Sequence, residues 1–185
     1  MDPLAAAVEA AWLKGVFVVV SGGNAGQDSA SLDSPAIDPF VLAVGASDPN
    51  GTEATGDDVV ASFTSRGTAE RGVDLLAPGK SIVSLRVPGS MIDLEHPEGR
   101  TGDHFFRGSG SSQAAAVMSG VAALLIQQRP DVTPDELKAL LLDTETSAGI
   151  TQPWEPALGN EHLAQNPTPN NHSWSNHSWS NHFWS

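Results

Sequence analysis

Residues 108–120 read G-S-G-S-S-Q-A-A-A-V-M-S-G. Ser109, Ser111 and Ser112 lie among glycines, and the chain then passes without a break into small apolar residues. Serine and glycine ahead of an apolar helix are ordinary N-cap chemistry, because a hydroxyl accepts from the unpaired N–H groups of the first turn. The same place also suits a nucleophile. The first N–H groups point outward and the helix dipole adds partial positive charge, so an oxyanion forming beside a serine oxygen is stabilised there. Ala114, Ala115, Ala116, Ser119 and Gly120 are small enough to let such a helix lie tight against a sheet.

Working outward, the spacing predicts an apolar helix over 112–128, poor in charge and so buried on nearly all sides. Arg129-Pro130 stops it. Thr133-Pro134-Asp135-Glu136 is a capping box with proline at the first helical position, opening a helix through Leu142. Toward the N-terminus, V-F-V-V-V at 16–20 and the runs at 40–46 and 82–87 read as strands buried on both faces, as in a parallel sheet. A short extended piece at 73–77 precedes the last of them. Residues 2–14 are alanine-rich and place Leu4, Val8 and Trp12 on one helical face, with Asp2-Pro3 as cap and first position. The pattern is that of an α/β protein with a mostly parallel sheet flanked by helices.

A chain of 185 residues with 39% apolar content can bury a core of one domain. Its net charge of -13 argues against a nucleic-acid partner, which needs a basic face. There is no cysteine, hence no disulfide framework and no thiolate site. No apolar run approaches the ~20 residues of a membrane span. Met1-Asp2-Pro3-Leu4 lacks the basic region of a signal peptide and reads like the interior of a domain. Beyond residue 148 a Pro- and Asn-rich linker (149–170) leads to three repeats, N-H-S-W-S, N-H-S-W-S and N-H-F-W-S, at 171–185. A period of five fits neither helix nor strand, so this tail is expected to be low-complexity and disordered. His172, His177 and His182 have no preformed metal geometry. The repeats could instead serve a non-catalytic protein as a surface anchor, for a cell-surface polymer for example.

Ser21-Gly22-Gly23-Asn24-Ala25-Gly26 follows directly on the run at 16–20. Ligands of open α/β sheets bind at the carboxyl ends of strands. An asparagine on a glycine turn there can aim its amide at an oxyanion, although a turn asparagine is common in its own right. Together with G-S-S-Q-A-A-A-V-M-S-G, this turn resembles the subtilisin-like serine proteases, the subtilases. S-P-A-I-D-P-F-V-L-A-V-G-A (34–46), F-T-S-R-G (63–67) and D-L-L-A-P-G-K-S-I (74–82) extend the likeness in the same order, over residues 2 to about 145.

The resemblance implies a partial subtilisin-like three-layer fold in 1–148 and hydrolysis of protein or peptide substrates through an acyl-enzyme. Ser112 matches the nucleophile, and Asn24 the oxyanion-hole side chain, with the Ser112 N–H as second donor. Ser21, Gly22 and Gly23 match one wall of the substrate cleft. Ser111 stands where the family has threonine, and Ala116 where it has proline. Ser109 is a rival by register but precedes the helix. The family's D-[ST]-G and H-G-T segments, which carry the other two triad members, do not occur in this sequence. All six histidines lie after residue 95. The chain alone is therefore expected to be nearly inactive. The resemblance implies no organic cofactor. Calcium is common in the family, but no residues here mark its site. An extracellular setting is likewise implied by the resemblance. The loop at 88–107 is expected to be a solvated hairpin, with substrate shaping as the alternative, and Asp28, Asp33 and Asp38 to be solvated loop charges rather than acids that favour basic side chains in the cleft.

Overall fold

The computed structural model describes residues 2–53 and 55–143. The linker at 149–170 and the repeats at 171–185 lie outside the described residues. The first helix, α1 (Pro3–Trp12), is capped as its sequence predicts, with Asp2 accepting from the Leu4 N–H at 2.8 Å. Its buried face is Ala5 and Trp12 rather than Leu4, which is exposed.

Three parallel strands make the centre: β1 (Val19–Ser21), β2 (Leu42–Asp48) and β4 (Leu75–Pro78), with β2 in the middle. The short β3 (Val59–Val60) joins β2 antiparallel at Ser47 and Asp48. Alternation along β2 supplies both faces of the sheet. Leu42, Val44 and Ala46 meet Ala114, Met118 and Ala122 of α3 (Ser111–Gln128) and Leu137 and Leu141 of α4 (Pro134–Asp143). Ala43 faces the other way, into a cluster with Leu32, Ala36, Val73 and Leu76. The helices α3 and α4 thus cover one face, and the loop between β1 and β2 lies under the other.

Two expectations fail here. The run at 82–87 is not a buried parallel strand. It gives β5 (Ile82–Leu85), which pairs antiparallel with β7 (Phe105–Gly108), and β7 with β6 (Arg100–Thr101), in a separate and largely exposed sheet. The extended piece at 73–77 becomes the buried β4 instead. Nor is α3 buried all round. Ser111, Ala114, Met118 and Ala122 are covered, but Leu124 is 61% exposed on its other side. The strand β1 is half-buried and pairs with β2 alone among the described residues. No helix among them is long and apolar enough to cross a membrane.

The loop at 88–107 is also more than a solvated hairpin. It holds the short helix α2 (Met91–Glu95), and Asp93 inside it is buried between Arg86 and Arg100.

Candidate active site

Two element ends meet at the carboxyl edge of the sheet. The turn after β1 begins with Gly22, whose N–H donates to Val44 O at 2.8 Å and so extends the parallel ladder by one residue. Gly23 then takes φ of +113°, a left-handed conformation that favours glycine. A Cβ on Gly23 would come within 2.5 Å of Asp33 Oδ2 and 2.8 Å of Ser65 Oγ. Gly22 is equally crowded, since its Cβ would lie 2.4 Å from Val73 Cγ1. Both glycines are buried and Ser21 is half-buried. The close approach that demands glycine here is thus made by the protein's own side chains. The segment F-T-S-R-G braces the same turn: Ser65 N–H donates to Gly23 O at 3.0 Å, and Ala25 N–H to Ser65 Oγ at 2.9 Å.

From the other side comes α3. Gly110 N–H donates to Gly79 O at 2.8 Å, which fixes the entry loop to the end of β4. Gly79 sits where a Cβ would lie 2.5 Å from Ala46 Cβ and 3.1 Å from Ala114 Cβ, so helix and sheet touch at this point. Asn24 Oδ1 accepts from the Ser111 N–H at 2.8 Å. Ser111 is fully buried, and its Oγ accepts from the Gly23 N–H at 3.3 Å. Two hydrogen bonds therefore stitch the Asn24 turn to the first residue of α3. Ser112, next along, is exposed. Its N–H has no acceptor among the described residues, as befits the open first turn of a helix.

The consequences for the expected residues are specific. Asn24 and Ser112 are brought to one place. With its oxygen accepting from the Ser111 N–H, one residue before Ser112, Asn24 keeps its Nδ2 donors for another acceptor, and amide N–H groups of this kind are able to receive a carbonyl oxygen as it gains charge. Ser109 is engaged elsewhere: its Oγ accepts from the Ser81 N–H at 2.9 Å. Among the described residues His96 pairs with Glu98 at 3.1 Å, and the His104 carbonyl accepts from Arg86; neither ring is hydrogen-bonded to Ser112. No group of three metal-ligating side chains converges among the described residues.

A buried ionic cluster supports the loop behind the turn. Lys138 Nζ donates to Pro39 O at 3.0 Å, Phe40 O at 3.3 Å and Val41 O at 2.9 Å, and lies 3.2 Å from Asp74 Oδ2. Burial lowers its ammonium to about 8 against the pull of Asp74. Burial pushes the Asp74 carboxyl up, but Arg71 and Lys138 outweigh it and hold the group below its ordinary value. Asp38 is fully buried rather than solvated, which corrects its expected place. Burial pushes it up to about 6, opposed by the Phe40 N–H at 2.8 Å.

The sequence model of the subtilase family matches residues 2–178. The chain belongs to the subtilase family. This subtilase is 49% identical over 143 residues to the serine protease AprX of Bacillus subtilis (strain 168), an alignment covering 76% of this chain and 32% of AprX. Fervidolysin from Fervidobacterium pennivorans, a keratinolytic enzyme related to subtilisin, superposes with a TM-score of 0.63 at 31% identity, covering 84% of this chain and 22% of that one. Sphericase gives 0.60 at 25% identity, covering 75% and 43%. This subtilase thus spans about a third of its curated relative and under half of these solved structures. Its mixed α/β fold is the subtilisin-like one.

Proposed function

We propose that this chain is the serine-bearing part of a serine endopeptidase. Ser112 Oγ, giving its proton to a base from outside this chain, attacks the scissile carbonyl carbon. The C–N bond breaks, the amine leaves with that proton, and water hydrolyses the acyl-enzyme to release the carboxylic acid and restore the hydroxyl. The carbonyl oxygen, as it becomes an oxyanion, accepts from the Ser112 N–H and Asn24 Nδ2. Ser21, Gly22 and Gly23 form one side of the cleft. The observation that carries this reading is the 2.8 Å bond from Ser111 N–H to Asn24 Oδ1, which orients the amide at the mouth of α3.

A serine hydroxyl needs a base, and the base an orienting carboxylate. Neither segment that supplies them in subtilases occurs in this sequence. Loss of a triad member in a subtilisin lowers turnover by about four to six orders of magnitude. The chain alone is therefore inactive on this reading, and the base and its carboxylate come from outside it. The substrate is a protein or peptide and the setting extracellular, both proposed from the family likeness.

The test is covalent labelling. In the product of the whole reading frame that contains this chain, a fluorophosphonate probe is expected on Ser112, and Ser112→Ala is expected to abolish both label and peptide hydrolysis. A folded, proteolytically active product that carries no label on Ser112 removes this residue from the mechanism.

A further inference from the structure

The wall of the proposed cleft carries a charge. Gly23 has no side chain, and a carboxylate reaches into the space one would fill. A Cβ on Gly23 would meet Asp33 Oδ2 at 2.5 Å and Asp33 Cγ at 2.9 Å. Three anchors hold Asp33 in place. Its N–H donates to Gly22 O at 3.2 Å, so this part of the loop lies against the glycine turn. Its own carbonyl accepts from the Ala36 N–H at 2.7 Å. Leu32, just before it, is fully buried in the cluster with Ala36, Ala43, Val73 and Leu76.

Asp33 is exposed, as a loop charge should be, but it is not loose. Its hydrogen bonds among the described residues are all made by the main chain, which leaves both carboxylate oxygens for a ligand. The nearby cations are spent elsewhere. Arg71 pairs with Asp74, and Lys138 with Asp74 and three carbonyls. Asp38, the other acid fixed in this loop, is buried beneath the surface.

We propose that Asp33 selects substrates by charge, favouring arginine or lysine as the residue that donates the scissile carbonyl; the assignment rests on the endopeptidase reading above. The carbonyl oxygen is received at Asn24, and Gly23 is bonded directly to Asn24. The substrate side chain nearest that oxygen belongs to the residue that owns the carbonyl. A carboxylate standing where Gly23 has no side chain is placed to meet it. A guanidinium fork matches a carboxylate in two bonds, and an ammonium meets it as a point charge. An apolar side chain there would strip water from the carboxylate and return nothing, and an acidic one would add repulsion. The selection therefore works against the wrong substrates as well as for the right ones.

The experiment uses the full-length product and two short peptides that differ only at that residue, one with arginine and one with its neutral isostere citrulline. In the active form both are supplied as anilides. In an S112A background both are fluorescently labelled and followed by anisotropy. The arginine peptide is expected to be favoured about 10- to 100-fold in kcat/KM, the size of hydrogen bonds to a charged group, and to bind more tightly. Asp33→Asn is expected to bring both ratios close to one while keeping the melting midpoint, since the carboxylate makes no bond inside the described protein. Asp33→Glu is expected to keep a preference for arginine. Equal treatment of the two peptides by the unmutated protein overturns the assignment, and that comparison needs no variant. So does a preference that survives in Asp33→Asn, or one that falls only in Asp28→Asn, which would move the selection to Asp28. A binding preference that Asp33→Asn removes, in a folded product that hydrolyses neither anilide, overturns the endopeptidase reading and leaves the role of Asp33 standing.

Discussion

At Asn24 one hydrogen bond and one backbone conformation decide where an amide points. Asn24→Ala is expected to lower kcat by about 100- to 1000-fold with little change in KM, the size of one lost oxyanion donor; steady-state kinetics of the full-length product checks it. Gly23→Ala forces a side chain onto φ of +113° and against Asp33 and Ser65. A destabilisation of about 1–3 kcal/mol is expected from the conformation alone, read as a lower urea midpoint together with slower probe labelling of Ser112. Asp38 gives a pH dependence. Its folded value of about 6 lies above the ordinary 3.8. The stability it contributes is therefore present below about pH 3.8 and lost as pH rises through about 6. Urea midpoints at pH 4 and pH 7 should accordingly fall more in the unmutated chain than in Asp38→Asn, and parallel falls would dissociate Asp38 from the effect. The places of Asn24, on the turn after β1, and of Ser112, in the first turn of α3, were legible in the sequence because turn and cap chemistry mark element ends. The burial of Asp38 was not. Its neighbours Arg71 and Lys138 come from β4's approach and from α4, and no local pattern announces charges that meet only in the folded chain.

Among the elements, helices announced themselves through their ends. The capping box of α4 forms as its sequence requires, with Thr133 N–H donating to Glu136 Oε2 at 2.9 Å and Glu136 N–H to Thr133 Oγ1 at 3.3 Å. Strands were harder. The runs at 40–46 and 82–87 look alike as strings, yet one is the centre of the main sheet and the other the rim of an exposed hairpin. An apolar run states an affinity for a partner without saying whether this chain supplies one. The same holds for α3, whose second apolar side finds no cover among the described residues. Where α3 does pack, tolerance should be small. Gly79→Ala inserts a methyl between Ala46 and Ala114 and is expected to cost about 1–3 kcal/mol by overpacking. Differential scanning calorimetry reads it, and an unchanged midpoint would mean that α3 can shift outward freely.

For the whole molecule, a half-buried edge strand and an uncovered helix side predict self-association of the chain expressed as residues 1–185. Sedimentation velocity at rising concentration should show material heavier than a monomer; a monodisperse, cooperatively melting monomer speaks against it. Lys138→Met is expected to cost about 3–5 kcal/mol, since it strips a buried partner from Asp74 and from three carbonyls. That clamp also has a bearing on biosynthesis. The oxygens it satisfies belong to residues 39–41, and the ammonium that satisfies them arrives 97 to 99 positions later. A ribosome that has already released the Asn24 turn still withholds the cation that locks the segment behind it. The segment behind the turn is therefore expected to lock only when α4 emerges, and a chain stalled before it to display the turn without its anchor.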